Sequence, residues 1–464
     1  MDSFPKSLNP HKRLKEEFVS NLTGSSMLEI AVITTLIPLV FLVRRLMGFM
    51  RPADVVTSKK NDDAQVGANS WQAYMAALAV DFLFIMVPFV LFFTVLAEWM
   101  YIWATLLILI VVFSVAARSC GTFSTLKEEP ESVRKLITSH RVATMMLTCI
   151  CILAVDFTIF PRRYAKTETY GTSWMDLGVG SFVVINSFVS RQARNLSWAK
   201  WKAAIKSTTP LIILGFARTY STAGLDYQVH AAEYGVHWNF FFTMAAISFL
   251  TSIINVPAQY SGILGALILV GYEGWLVQGL NMYLLSNERG SDIISQNKEG
   301  LFSIFGYWSM YLFGVQVGNF LFFSNHSSAT TSSKKWTRNR AAILSLLFWL
   351  VTLVADNYVE RVSRRSCNLP YVTLVLAVNL QGLAIGLVSD DLPATKTSTI
   401  EEAYNRNLLA IFLLANLLTG LVNFLVDTLF ASSVKALSVM IAYAFMLTFI
   451  PGLLDFCGIR FKFW

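Results

Sequence analysis

One stretch of this sequence, AVDFTIFPRRYAKTETYGTSWMDLGVGS from Ala154 to Ser181, gathers residue types able to do acid–base chemistry beside an anion. Asp156 is expected in the last turn of an apolar helix, where desolvation raises a carboxylate toward the range of a general base. Lys166 follows ten positions later. Along an unbroken helix that separation is about 15 Å, out of a carboxylate's reach. Pro161 should stop the helix and bias Phe160 toward extended geometry, so the chain folds back and Asp156 and Lys166 can meet. Arg162 and Arg163 add two forked cations suited to bidentate phosphate contacts. The same pair also suits a juxtamembrane basic loop lying on lipid phosphates.

Three further segments carry polar chemistry. In DYQVHAAEYGVHWNFFF, Asp226 to Phe242, Glu233 and His237 share a helix face if the turn has begun by then. His237, Trp238 and Asn239 are expected to contact a headgroup, although Tyr234, Trp238 and the phenylalanines also read as an interfacial aromatic belt. VSRRSCNLPY, Val362 to Tyr371, supplies a second arginine pair, Arg364 and Arg365, for a second phosphate or for the headgroup layer. NKEGLFSIFGY, Asn297 to Tyr307, should lie beside them on one face. No phosphate loop, HExxH, GxSxG or strand-borne GxGxxG occurs, which argues against ATP hydrolysis and zinc proteolysis. The five histidines are too scattered for a metal site, and no metal or permanently bound cofactor is expected.

The elements that must position these residues are membrane helices. The 464 residues are 55% hydrophobic and only 14% charged, with a mean hydropathy of +0.54, against roughly 25% charge in a soluble domain. Apolar runs at 27-43, 74-97, 100-117, 141-160, 174-189, 207-220, 236-255, 259-279, 301-323, 340-356, 370-389, 407-427 and 434-456 predict about thirteen spans. Helices are the only open-ended choice in lipid. The weakest span is 207-220, and Trp71 to Ala117 must be two helices joined near Glu98. The reading is an all-α polytopic membrane protein, one bundle over 1-464, with no connection long enough for a soluble domain.

The net charge of +8 comes from short loops beside membrane ends, so lipid headgroups rather than nucleic acid are the expected partner. Lys and Arg divide 23 to 14 in favour of the cytosol if the N-terminus is luminal and the C-terminus cytosolic. The sequon at Asn21 would then be luminal, and those at Asn195 and Asn325 cytosolic and unused. Arg460-Phe-Lys462-Phe-Trp464 resembles a dibasic retrieval signal. The five cysteines form no CxxC pair and read as free thiols. Glu29, Asp81, Asp156, Asp176, Glu273, Asp356 and Asp427 lie in or at the edge of spans, where each needs a partner or a wet cavity.

DFTIFPRRYAKTETYGTSWMDLGVGSFV, EYGVHWNFFF, NKEGLFSIFGY, SRRSCNLPY and NLLAIFLLANLLTGLVN, in this order, resemble the PIG-W family, which includes the fungal GPI-anchored wall transfer protein. The resemblance implies an endoplasmic-reticulum enzyme with thirteen spans and a luminal reaction site. Its partners would be acyl-CoA as co-substrate and glucosaminyl-phosphatidylinositol, whose inositol ring receives a palmitoyl-type chain. The family's catalytic aspartate and lysine carry over to Asp156 and Lys166. Two other classes stay in view. A proton-coupled secondary transporter also uses carboxylates and broken helices within the membrane. A histidine-dependent membrane-bound O-acyltransferase has overlapping substrates, but no histidine here lies deep in a span.

Overall fold

The computed structural model describes residues 14, 17–18, 20–46, 65–120, 133–196, 201–223, 231–286, 288–323, 331–388 and 398–461. Asp226, Asn325 and Lys462–Trp464, named above, lie outside them. The described chain is helical, and its only β pairing is two isolated bridges from Gly24 and Ser25 to Thr172. In chain order the main helices are α1 (Met27–Leu46), α2 (Trp71–Phe92), α3 (Met100–Cys120), α4 (Val133–Ala154), α5 (Leu177–Phe188), α6 (Trp201–Ala223) and α7 (Phe240–Ile253). The second half adds α8 (Ala258–Trp275), α9 (Lys298–Gly318), α10 (Thr331–Tyr358), α11 (Leu369–Gly386), α12 (Thr399–Arg406), α13 (Leu408–Leu425) and α14 (Ser433–Phe456).

Among the described residues nine helices are long and apolar enough to cross a membrane. The other four expected spans are helical too, but α5 and α7 are short. The remaining two, α6 and α9, carry too much polar sequence to qualify, with Lys206 and Arg218 in α6. Nine crossings, not thirteen, therefore stand on length and composition. The break expected near Glu98 is present as a short 3-10 turn, Ala97–Trp99, between α2 and α3.

The axis of the bundle is α11, of which 78% is buried. Burial on all sides suits its sequence, LPYVTLVLAVNLQGLAIG, whose few polar groups are each spent on a neighbour. Gln381 donates to the Ala31 carbonyl and Thr35 of α1 and accepts from the Trp349 indole of α10. Asn379 donates to Ser181 of α5 and lies 3.2 Å from the His140 ring of α4. That makes His140 an interhelical tie. Cys149, Cys151 and Cys367 are buried free thiols, and Cys457 is free and exposed.

Charge collects at the two ends of α1. At its C-terminal end Arg44 pairs with Asp81 at 2.8 Å, and Arg45 faces Glu401 at 3.8 Å. There the amphipathic α12 closes the bundle, its N-terminus fixed by a Ser398–Glu401 capping box and by Asp81, which accepts from the Ile400 N–H. Arg406 pairs with Asp455, which also accepts from Tyr74 at the same end. The opposite end, where Glu29 begins α1, carries the segments singled out for chemistry.

Candidate functional site

Helix α4 stops at Ala154, two residues before Asp156 and seven before Pro161. It ends in tightened turns, Asp156 N–H to Leu153 and Phe157 N–H to Ala154. The expectation that Asp156 sits in the last turn and that Pro161 stops the helix is corrected accordingly. Pro161 instead opens a 3-10 turn, Arg162–Tyr164, from an extended conformation. Phe157, Phe160 and Tyr164 are wholly buried, so this connection is a packed plug rather than a surface loop. Its far half crosses the chain just before α1. Ser25 N–H donates to the Thr172 carbonyl and Thr172 Oγ1 donates back to the Ser25 carbonyl. Glycine is required on both strands of that crossing: a Cβ on Gly24 or Gly171, both at positive φ, would lie 2.1 Å from a carbonyl oxygen opposite.

The fold-back does not join Asp156 to Lys166. Asp156 accepts a 2.7 Å hydrogen bond from Asn423 of α13. Lys166 gives two N–H bonds, 2.8 and 2.9 Å, to the two oxygens of Glu233 and makes no ion pair with Asp156. The lysine side chain is 41% exposed, so its end of the network reaches the surface. Behind it the charges run inward. Glu233 also accepts from Arg364 at 3.2 Å, and Arg364 Nε donates to Asp176 at 2.9 Å. Asp176 in turn accepts from the Thr167 hydroxyl and N–H, while its carbonyl accepts from Tyr371.

The four arginines are each engaged by the protein's own acceptors, Arg364 and Arg365 buried and Arg162 and Arg163 half-buried. Arg163 bonds Glu29, Glu98 and the Ala97 carbonyl. The Arg365 guanidinium donates to Glu299, shared with Arg289. Arg162 donates to the Phe157 and Phe160 carbonyls, and its Nη1 is buried without a partner. Burial pushes the Arg162 guanidinium down to about 10, against the pull of the Asp156 charge. The picture of four open forks waiting for phosphate is thereby corrected for Arg163 and Arg364, whose forks are engaged by protein acceptors, and in part for Arg365, whose Nη2 is taken by Glu299 while its Nε is buried without a partner.

Glu233 and His237 do not share a helix face, because the short helix Ala231–Tyr234 ends at Gly235, whose φ is +113°. His237 is exposed. Its backbone N–H and that of Trp238 both donate to Asn297 Oδ1, and the Trp238 indole donates to Thr243. Asn239 caps α7, accepting from Phe241 N–H and donating to Gly215 and Thr219 of α6. These contacts fix the segment that leads into α7.

Sequence reasoning missed three residues. Glu233 was legible only as a partner for His237, Glu299 only as part of a motif, and Asn423 only as the last letter of NLLTGLVN. No cluster of three metal-ligating side chains occurs among the described residues.

Burial opposes ionisation of Glu233, but the adjoining Lys166 and Arg364 charges, with Arg218, outweigh it and hold this carboxyl well below its usual range. A depressed folded pKa stabilises above the unfolded value, about 4.3, and the contribution is lost as pH falls through the folded pKa. The thermal midpoint of the detergent-solubilised protein should therefore change little through Glu233 down to about pH 5 and fall below it. Glu233→Gln should shallow that acid limb; an acid limb identical in the variant would detach it from this carboxylate.

A family model described as GWT1 matches residues 11–454. An uncharacterized protein of Arabidopsis thaliana is 55% identical over 439 residues, covering 92% of this chain and 99% of that protein. The phosphatidylinositol-glycan biosynthesis class W protein of Dictyostelium discoideum is 33% identical over 509 residues, covering 98% and 99%. The GPI-anchored wall transfer protein 1 of Schizosaccharomyces pombe is 33% identical over 477 residues, covering 97% and 99%.

Proposed function

The chain belongs to the GWT1 family, and from that footing we propose that it is a membrane acyltransferase of GPI-anchor biosynthesis. Its donor is acyl-CoA, its acceptor glucosaminyl-phosphatidylinositol, and its place the endoplasmic-reticulum membrane with a luminal N-terminus. The observation that carries the reading is full-length similarity to proteins named for GPI biosynthesis and wall transfer, in a chain whose Asp156 and Lys166 are each fixed by a separate partner.

In this mechanism Asp156 takes the proton of the inositol 2-hydroxyl as that oxygen attacks the thioester carbonyl. The new C–O bond forms, the C–S bond breaks, and the CoA thiolate leaves and is protonated. Lys166 spends two of its three N–H donors on Glu233, which leaves one for the developing oxyanion. A base and an oxyanion donor bonded directly to each other would leave no space for the reacting carbonyl. Separate tethers keep them apart. Arg162, with a buried donor to spare, is proposed for a phosphate of donor or acceptor, and the exposed His237 beside Trp238 for the headgroup. Arg163, Arg364 and Arg365 act by holding Glu29, Asp176, Glu233 and Glu299 in place.

The test is product formation. The purified protein in nanodiscs, given labelled palmitoyl-CoA and glucosaminyl-phosphatidylinositol, should yield a labelled acyl-inositol glycolipid. A folded preparation that gives none, while moving the acceptor or a proton across a sealed vesicle, would replace this reading with a carrier.

A further inference from the structure

Buried carboxylates in this molecule come with cations. Glu29, Asp81, Asp176, Glu233, Glu299 and Asp455 each have an arginine or lysine within ion-pair distance. Glu273, and the half-buried Glu360, have none among the described residues. Glu273, on α8, is 5% exposed; its Oε2 accepts from the Leu369 N–H at 2.8 Å, and its Oε1 is buried with no donor. Glu360 accepts from the Tyr170 hydroxyl at 2.8 Å and from Asn368 at 3.2 Å, both neutral. Tyr170 is shared, since it also accepts from Asn281, whose Oδ1 is a second buried acceptor without a donor. Burial, the bond to Glu360 and the nearby Glu273 charge together push the Tyr170 hydroxyl up, which puts both carboxylates in one corner.

Two features shape that corner. The helix α8 runs into a π-turn, Leu276–Leu280, with Gly279 at φ +130°, and this turn displaces Asn281 from regular helical register. The segment with Tyr170 is stapled to the segment with Glu360 by Gly171 N–H to the Val362 carbonyl and Ser363 Oγ to the Thr169 carbonyl. Tyr170 is four residues from Lys166, so their Cα atoms are at most about 14 Å apart. Among the described residues the corner holds two carboxylates without a cation, and its unpartnered acceptors are Glu273 Oε1 and Asn281 Oδ1. Its complement is a compact group that only donates, a primary ammonium with three N–H bonds. A divalent cation is the weaker complement, because no three metal-ligating side chains converge there.

We propose that Glu273 and Glu360, with Asn281, form the subsite that binds the free amine of the aminosugar on the acceptor lipid, while Lys166 and Asp156 face its inositol. This deepens the acyl-transfer reading and rests on it. The subsite makes the enzyme select a free amine over an acetylated one.

The experiment compares acyl transfer to glucosaminyl- and N-acetylglucosaminyl-phosphatidylinositol by the wild type, Glu273→Gln and Glu360→Gln. Glu360 is only half-buried and serves if the Glu273 variant fails to elute as a monodisperse species. The wild type should favour the free amine, and each variant should raise KM for that acceptor about tenfold to a hundredfold. KM for the acetylated acceptor should barely change, so the preference narrows. Parallel changes for both acceptors, or none, overturn the subsite. So does a wild-type activity that EDTA abolishes to the level of the variants, which would make the corner a cation site. No product from the wild type with either acceptor overturns the transfer reading, and the subsite with it.

Discussion

Asp156→Asn should slow acyl transfer about 10²- to 10⁴-fold, the usual worth of a positioned general base, while leaving acyl-CoA affinity unchanged. The substitution is nearly isosteric, and an asparagine oxygen can still accept the Asn423 bond, so the local geometry has no reason to collapse. What disappears is the ability to take a proton. Rates and donor binding measured on one preparation separate the two effects. A variant within threefold of the parent would assign proton removal elsewhere; a variant that also loses donor binding would make Asp156 an organiser of the donor site.

Arg364→Leu should be the most damaging single change to stability, about 3–5 kcal/mol by the usual cost of breaking a buried ion pair. The guanidinium is 6% exposed and is the bridge between Asp176 and Glu233, so removing it strands Asp176 without a cation and leaves Glu233 with Lys166 and the more distant Arg218 charge. Thermal unfolding in detergent reads the effect, and adding Asp176→Asn should recover part of it. Were the single variant to melt like the parent, the ion chain behind Lys166 would be ornamental.

The helices were legible because apolar runs in a charge-poor chain have one structural solution in lipid. The hairpin at Glu98 and the clustering of the chemistry-bearing motifs at one end of α1 followed from the same pattern. Partner choice was not legible. Asp156 and Lys166 were expected to meet because both sit in one short segment. Yet Phe157, Phe160 and Tyr164 bury their rings between them and turn the chain, so that each polar group exits toward a different helix. Nothing in the spacing of Arg364 and Arg365 distinguishes forks open to phosphate from forks engaged by Asp176, Glu233 and Glu299, which lie 66 to 188 residues from the arginines they bond. Glu273 looked like one intramembrane carboxylate among seven, and what sets it apart is a buried oxygen without a donor.

The two charged ends of α1 also act as a ruler. From Glu29 to Arg44 the helix rises about 22 Å, whereas the hydrocarbon layer of a typical bilayer is about 30 Å thick. Both charges are met by the protein itself, Glu29 by Arg163 and Tyr164 and Arg44 by Asp81, so each can lie within the depth of that layer. The stretch of this helix free of charge is consequently shorter than a typical hydrocarbon layer, and the rest of the molecule rather than the lipid makes up the difference.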